Sequence, residues 1–239
     1  MTRESWWLVI LTASIGLTGM TRREARADGH PDIDLKKGWQ QLFNGKDLSG
    51  WETRDSEGRE VPADTWAVED GTLTRKDHAY LWSIDQFGDF ILDMEFKVSP
   101  ETNSGVILRH KPDPSAKRYW WNGLLEVQIL DCHGKAVPDK HDCGALYDMI
   151  APSKNTMNKA GEWNRITMTA KGSKVAVVLN GEKVIDADLD DWPEAGKNPD
   201  GTPNKYHKPM KDLGRKGHVL LQDHPGSIWF RNVFIKRLD

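Results

Sequence analysis

Long apolar runs are nearly absent from this sequence. Trp6 to Leu17 forms one, too short to span a bilayer comfortably, and no second span follows it, which excludes a membrane-embedded body. Cysteine is scarce: Cys132 and Cys143 are the only two, far short of a zinc-ligand pattern. A strong excess of one charge is lacking too. The 33 basic and 36 acidic residues leave a formal net charge of -3, so there is no basic face and nucleic acid is excluded as the expected partner. Long amphipathic helical patterns and repeats of fixed period are also missing, so neither helices nor repeats organise the chain.

What is present supports a globular core: 38% of residues are hydrophobic and 29% charged. Arg3, the apolar run and Ala25-Arg26-Ala27 fit a signal peptide over residues 1–27, cleaved before Asp28. The alternative is an uncleaved anchor. Cleavage implies export to the periplasm or the extracellular space, with no membrane attachment afterwards. In an exported chain Cys132 and Cys143 are expected to pair; the alternative is two unlinked, buried thiols. Residues 28–38 are polar and read as a flexible lead-in, and 39–239 as one domain.

From Trp39 onward the chain reads as short strands between Gly, Pro, Asn and Asp turns. Asp70-Gly71 and Asn180-Gly181 sit between apolar flanks, as two-residue hairpin turns require. Phe90, Leu92, Met94, Phe96 and Val98 alternate with polar residues, the mark of a half-buried strand. Further strands are expected over 104–110, 124–130, 165–170, 174–179, 183–187, 218–223 and 228–236. Many short strands imply a sandwich or barrel. Two packed antiparallel sheets, with the eleven tryptophans filling the core or stacking on sugar, is the favoured reading. The polar stretch from Pro193 to Gly214 is long for a connection and suits the lid or wall of a site.

Alternation also sorts polar groups. Leu125, Val127 and Ile129 should enter the core, which leaves Glu126 and Gln128 on the other face, about 7 Å apart. The same count sends Arg109 outward from the strand at 104–110, and Gln222 and His224 outward from the strand at 218–223. These five groups are expected to share one site. Each has a plainer reading: a solvated carboxylate, a surface ion-pair arginine, a turn histidine beside Pro225-Gly226.

Motifs reinforce the grouping. They are Gln41-Leu42-Phe43-Asn44-Gly45-Lys46-Asp47-Leu48-Ser49-Gly50-Trp51, Asn103-Ser104-Gly105-Val106-x-Leu108-Arg109, Glu126-Val127-Gln128-Ile129-Leu130-Asp131, Gly144-Ala145-Leu146-Tyr147 and Gly217-His218-Val219-x-Leu221-Gln222-Asp223-His224. In this order, from about Trp39 to the C-terminus, they resemble the 3-keto-disaccharide hydrolase domain family. The resemblance implies an all-β, concanavalin-like jelly-roll sandwich of two curved antiparallel sheets, acting on carbohydrate. Glu126, His224 and Arg109 are the expected catalytic residues, and Gln128, Asp131, Tyr147, Gln222 and Asn103 the expected substrate-binding ones. Related glycosidases carry a Glu-x-Asp-x-x-Glu strand. Here the strand reads Glu126-x-Gln128-x-x-Asp131, which speaks against ordinary two-carboxylate hydrolysis. Pro225 after the histidine and Cys132 after Asp131 also depart from the family pattern.

A 3-keto sugar has an acidic C2 proton. Removing it gives an enolate that can expel the C1 group, and water can add afterwards. This needs a base, an acid for the leaving oxygen and a group that steadies the enolate. Glu126 and His224 are the acid–base candidates. Arg109, or a divalent metal ion held by Glu126 and His224, would stabilise the enolate. Three other readings remain: a non-catalytic carbohydrate-binding module using Tyr119-Trp120-Trp121, an ordinary glycosidase using Glu126 and Asp131, and a calcium-binding adhesion domain using Asp188, Asp190 and Asp191. The sequence leaves the oligomeric state open.

Overall fold

The computed structural model describes residues 30–55, 58–112 and 124–239. The leader expected over residues 1–27 and the cluster Tyr119-Trp120-Trp121 lie outside the described residues. Thirteen strands follow in order: β1 (Trp39–Gln41), β2 (Trp51–Arg54), β3 (Trp66–Glu69), β4 (Thr72–Arg75), β5 (Tyr80–Phe87), β6 (Phe90–Val98), β7 (Asn103–His110), β8 (Leu125–Leu130), β9 (Trp163–Lys171), β10 (Lys174–Leu179), β11 (Glu182–Asp188), β12 (Gly217–Leu221) and β13 (Ile228–Arg237). Among the described residues there is no α-helix, only short 3-10 turns.

The strands build the two antiparallel sheets of a jelly roll. An eight-stranded sheet runs β11-β10-β9-β6-β13-β4-β3, with β1 also on β13, and a five-stranded sheet runs β2-β5-β12-β7-β8. The alternation that predicts the elements also packs them. Phe90, Leu92, Met94, Phe96 and Val98 of β6 are fully buried, and they share one core with Val106, Leu108, Val127, Ile129, Val219 and Leu221 of the facing sheet. Each such side chain removed from water stabilises the fold by roughly 1.5–3 kcal/mol. The hairpin turns take positive φ at both central residues, 48° and 73° at Asp70-Gly71 and 48° and 88° at Asn180-Gly181, the geometry that matches strand twist.

Three expectations are corrected. The described part of the lead-in, from His30 on, is anchored rather than loose: His30 Nε2 accepts from Gly181 N–H at 2.8 Å, and Pro31 O accepts from Arg165. Cys132 and Cys143 are free thiols, both buried. The Cys132 thiol points to Asn155 Oδ1 at 3.9 Å, and burial pushes both thiols up, away from the reactive thiolate. Arg109 leaves the site for the reason given next.

Strand β7 carries a bulge. His110 opposes His218 and Ile107 opposes Leu220, so two residues of β7 face Val219 alone. Arg109 takes φ 56° there, and the alternation slips by one. His110 therefore lies over Trp82, at 4.8 Å between ring centroids. Arg109 instead turns into the end of the sandwich. It donates to Gly88 O and Gly172 O, both at 2.7 Å, and to Asp89 Oδ1 at 2.8 Å.

Candidate active site on the five-stranded sheet

The face of this sheet turned away from the core carries two rows of side chains. Gln128 opposes Gly105, Gln222 N–H donates to Gly105 O at 2.9 Å, and Leu221 opposes Leu81. Gln128, Gly105, Gln222 and Tyr80 thus stand in line across four strands. The next row is Glu126, Ile107, Leu220, Trp82 and Glu52. The second row is apolar at its centre, where Ile107, Leu220 and Trp82 pack with Tyr80 and Leu124 in a small cluster of their own.

Gly105 makes the geometry possible. A Cβ on it would stand 2.7 Å from Glu126 Oε1 and 3.2 Å from Gln222 Oε1, closer than side-chain carbons normally approach. The missing side chain lets the carboxylate and the amide converge. Around them lies a hollow of about 150 Å³ lined by Tyr80, Asn103, Leu124, Glu126, Gln128, Tyr147, Lys205, Gln222 and His224. That is the space of about five waters, suited to one small polar ring rather than a length of polymer.

The walls come from two further segments. Residues 144–147 run along the free edge of β8: Gly144 N–H donates to Gln128 O, Gln128 N–H to Ala145 O, and Tyr147 N–H to Glu126 O, at 2.8, 3.0 and 3.0 Å. This pairing holds Tyr147 at the rim. The stretch from Pro193 to Gly214, expected as a wall, brings in Lys205. Its Nζ lies 3.7 Å from Glu126 Oε2 and 3.9 Å from the Tyr147 ring centroid.

Burial governs the electrostatics. Glu126 is 3% exposed, and desolvation pushes its carboxyl up against the pull of Lys205. Burial pushes the Lys205 ammonium down, opposed by Glu126 and Asp148. Burial also lowers His224, with Asp223 opposing, which favours a neutral imidazole. Gln222 lines the hollow, and its Oε1 is a buried acceptor with no hydrogen-bond partner. Turned so that its nitrogen faces acceptors, the Gln128 amide donates to Glu126 Oε1 and Ser104 O, both at 3.2 Å.

The pair expected to hold a divalent ion, Glu126 and His224, does line one hollow. Yet no group of three His, Cys, Asp or Glu side chains suited to a metal occurs among the described residues, and the Lys205 ammonium already stands against the carboxylate. That donor set does not fit a resident ion.

The profile described as the 3-keto-alpha-glucoside-1,2-lyase-like domain matches residues 38–236. The chain belongs to this family. A Bacteroides thetaiotaomicron protein named 3-keto-disaccharide hydrolase is 27% identical over 241 aligned positions, covering 84% of this chain and 79% of that one. Two Parabacteroides distasonis structures, both named as candidate glycosyl hydrolases, superpose with TM-scores of 0.72 and 0.70. The first is 32% identical and covers 84% of this chain and 99% of its own; the second is 26% identical and covers 86% and 96%.

Of the residues singled out from the sequence, the lyase-like domain brings Asn103, Glu126, Gln128, Tyr147, Gln222 and His224 into one hollow. Arg109 and Asp131 do not line it. Asp131 accepts from Glu101 N–H at 3.1 Å, and its own N–H donates to Thr102 O, so it fastens the turn between β6 and β7. Asp188 and Asp190 are engaged by Lys174 and Arg215. Sequence reasoning missed Lys205, Tyr80 and Leu124. The signal for Lys205 was only the length of its segment.

Proposed function

We propose that this lyase-like domain cleaves the glycosidic bond of 3-keto-glycosides by removing the C2 proton and expelling the C1 substituent. The observation that carries this is the meeting of one buried carboxyl, one ammonium and one imidazole in a ring-sized hollow edged with amides. Ordinary glycoside hydrolysis calls for two carboxylates flanking the bond. Glu126 alone lines the hollow, since Asp131 is tied to the β6–β7 turn, so that alternative lacks its second group.

His224, held neutral by burial, takes the C2 proton. The electron pair moves into the enolate, whose oxygen is steadied by the Lys205 ammonium at the site Arg109 was expected to fill. The C1–O bond then breaks. Glu126, whose carboxyl burial favours protonated, gives its proton to the departing oxygen. Water adding across the new C1–C2 double bond returns His224 and Glu126 to their starting states and completes net hydrolysis. Gln128, Gln222 and Asn103 hold sugar hydroxyls, and the unpartnered Gln222 Oε1 accepts from one of them.

The test compares a glucoside with its 3-keto form and follows products by mass. Wild type is expected to consume the 3-keto form alone. Glu126→Gln and His224→Ala should each lower turnover at least a hundredfold with circular dichroism unchanged. Activity within tenfold of wild type in both variants would remove them from the chemistry. Tight binding of intact glycan without turnover would favour a carbohydrate-binding module.

A further inference from the structure

We propose that Asp148, which does not line the hollow, is a positioning residue that fixes the Lys205 ammonium against Glu126. The proposal rests on the reading of the hollow given above. It starts from a backbone outlier. Asp148 sits at φ 60°, a conformation that most side chains avoid and that persists where surrounding contacts impose it.

Those contacts form a two-part clasp. Asp148 Oδ2 accepts from Lys205 N–H at 2.6 Å, and the neighbouring Tyr206 hydroxyl donates to Tyr147 O at 2.6 Å. Two successive residues of the rim segment thus grip two successive residues of the wall. Tyr206 is 1% exposed, so its arm of the clasp is dry and its hydrogen bond is costly to break. Asp148 O accepts from Asn198 Nδ2 at 3.2 Å, tying the wall a second time. With its own backbone held at Asp148 and its neighbour held at Tyr147, Lys205 has little freedom except along its side chain. That side chain crosses the Tyr147 ring and ends at Glu126. The other Asp148 oxygen accepts from Lys140 Nζ at 2.7 Å and His141 Nε2 at 3.2 Å, which stiffens the carboxylate itself.

The plainer reading makes Asp148 a surface knot that merely stabilises a loop. Three variants and two readouts separate the readings. Asp148→Gly tolerates positive φ and deletes the acceptor. Asp148→Asn keeps an acceptor oxygen and removes the charge. Lys140→Met loosens the outer side of the knot without touching the hollow. On a 3-keto-glucoside, Asp148→Gly is expected to lose at least tenfold in kcat, while Asp148→Asn and Lys140→Met stay within threefold.

The second readout needs no turnover. Competitive acylation of the Lys205 amine across pH, followed by peptide mass, reports when the ammonium loses its proton. The groups facing it are Glu126, Tyr147, Asp148, Tyr206 and His224. Asp148 favours the charged form, so Asp148→Asn should move the midpoint down, and Lys140→Met should not. Unchanged kcat in Asp148→Gly together with an unchanged Lys205 midpoint in Asp148→Asn would overturn the proposal. If Asp148→Gly fails to fold, the midpoint in Asp148→Asn decides alone. Wild type inert toward the 3-keto substrate would sink the proposed function, while the acylation shift would still decide the positioning role.

Discussion

Gly105→Ala tests the geometry of the hollow with a single methyl group. The new Cβ would start 2.7 Å from Glu126 Oε1 and 3.2 Å from Gln222 Oε1. Ordinary contact between a carbon and an oxygen lies near 3.4 Å, so the carboxyl must retreat by about 0.7 Å and the amide by a few tenths of an ångström. Glu126 cannot yield without loss, because it is buried and Lys205 stands on its far side. A displacement near 1 Å at a reacting group costs on the order of a hundredfold in rate, so kcat on a 3-keto-glucoside should fall between about 10-fold and 100-fold. The overlap should cost about 1–3 kcal/mol of stability, partly offset because the backbone at Gly105 needs no positive φ and alanine is the less floppy residue when unfolded. The assay is steady-state turnover beside a thermal melt. Activity within threefold of wild type, with the melt unchanged, would show that the convergence over Gly105 does not matter to the chemistry.

Three further outcomes follow from the same contacts. Lys205→Met should lower kcat by about 100-fold to 1000-fold, the loss typical of removing a preorganised oxyanion partner, and a drop smaller than tenfold would assign enolate stabilisation elsewhere. Arg109→Met should leave turnover within threefold but strand Asp89, Gly88 O and Gly172 O; the cost is about 3 kcal/mol, or a melt lowered by roughly 10 °C, and lost activity with an intact melt would restore Arg109 to the site. Burial holds His110 down to about 4 from an ordinary 6.5, so the unfolded chain takes the proton first as pH falls. Stability from this group is therefore full above pH 6.5 and declines by roughly 3 kcal/mol toward pH 4. Urea titrations at pH 7.5 and 4.5 should show His110→Phe losing less stability on acidification than wild type, and equal losses would refute the assignment.

Much of the fold was legible because its strands obey period two. In β6 and β8 every second residue is apolar and buried, and the Asp-Gly and Asn-Gly turns announce their hairpins. Strand β5 was not foreseen. Ser83 Oγ donates to Asp85 O and accepts from Val219 N–H, a local irregularity that breaks the alternation of Tyr80 to Phe87. The same kind of defect misplaced Arg109. A strict count puts it beside Glu126, but one extra residue in β7 reverses every later side chain. Bulges leave no reliable mark in a single sequence, and this one sits at a non-glycine residue with positive φ.

Lys205 was invisible for a different reason. Its position depends on contacts more than fifty residues away in sequence, namely Asp148 and Tyr147, and no periodicity encodes such a meeting. Yet the chemistry requires a cation from somewhere, to steady the enolate oxygen. Burial favours the neutral form of Glu126, and the row it occupies continues into Ile107, Leu220 and the Trp82 indole, which carry no charge. The sheet supplies the carboxyl and the gap at Gly105, and the loop after β12 supplies the imidazole. The positive charge beside Glu126 comes from a covering segment, as Lys205. A polar, Pro- and Gly-rich wall of unusual length is therefore the part of this jelly roll that converts a sheet surface into a site where proton transfer can be directed.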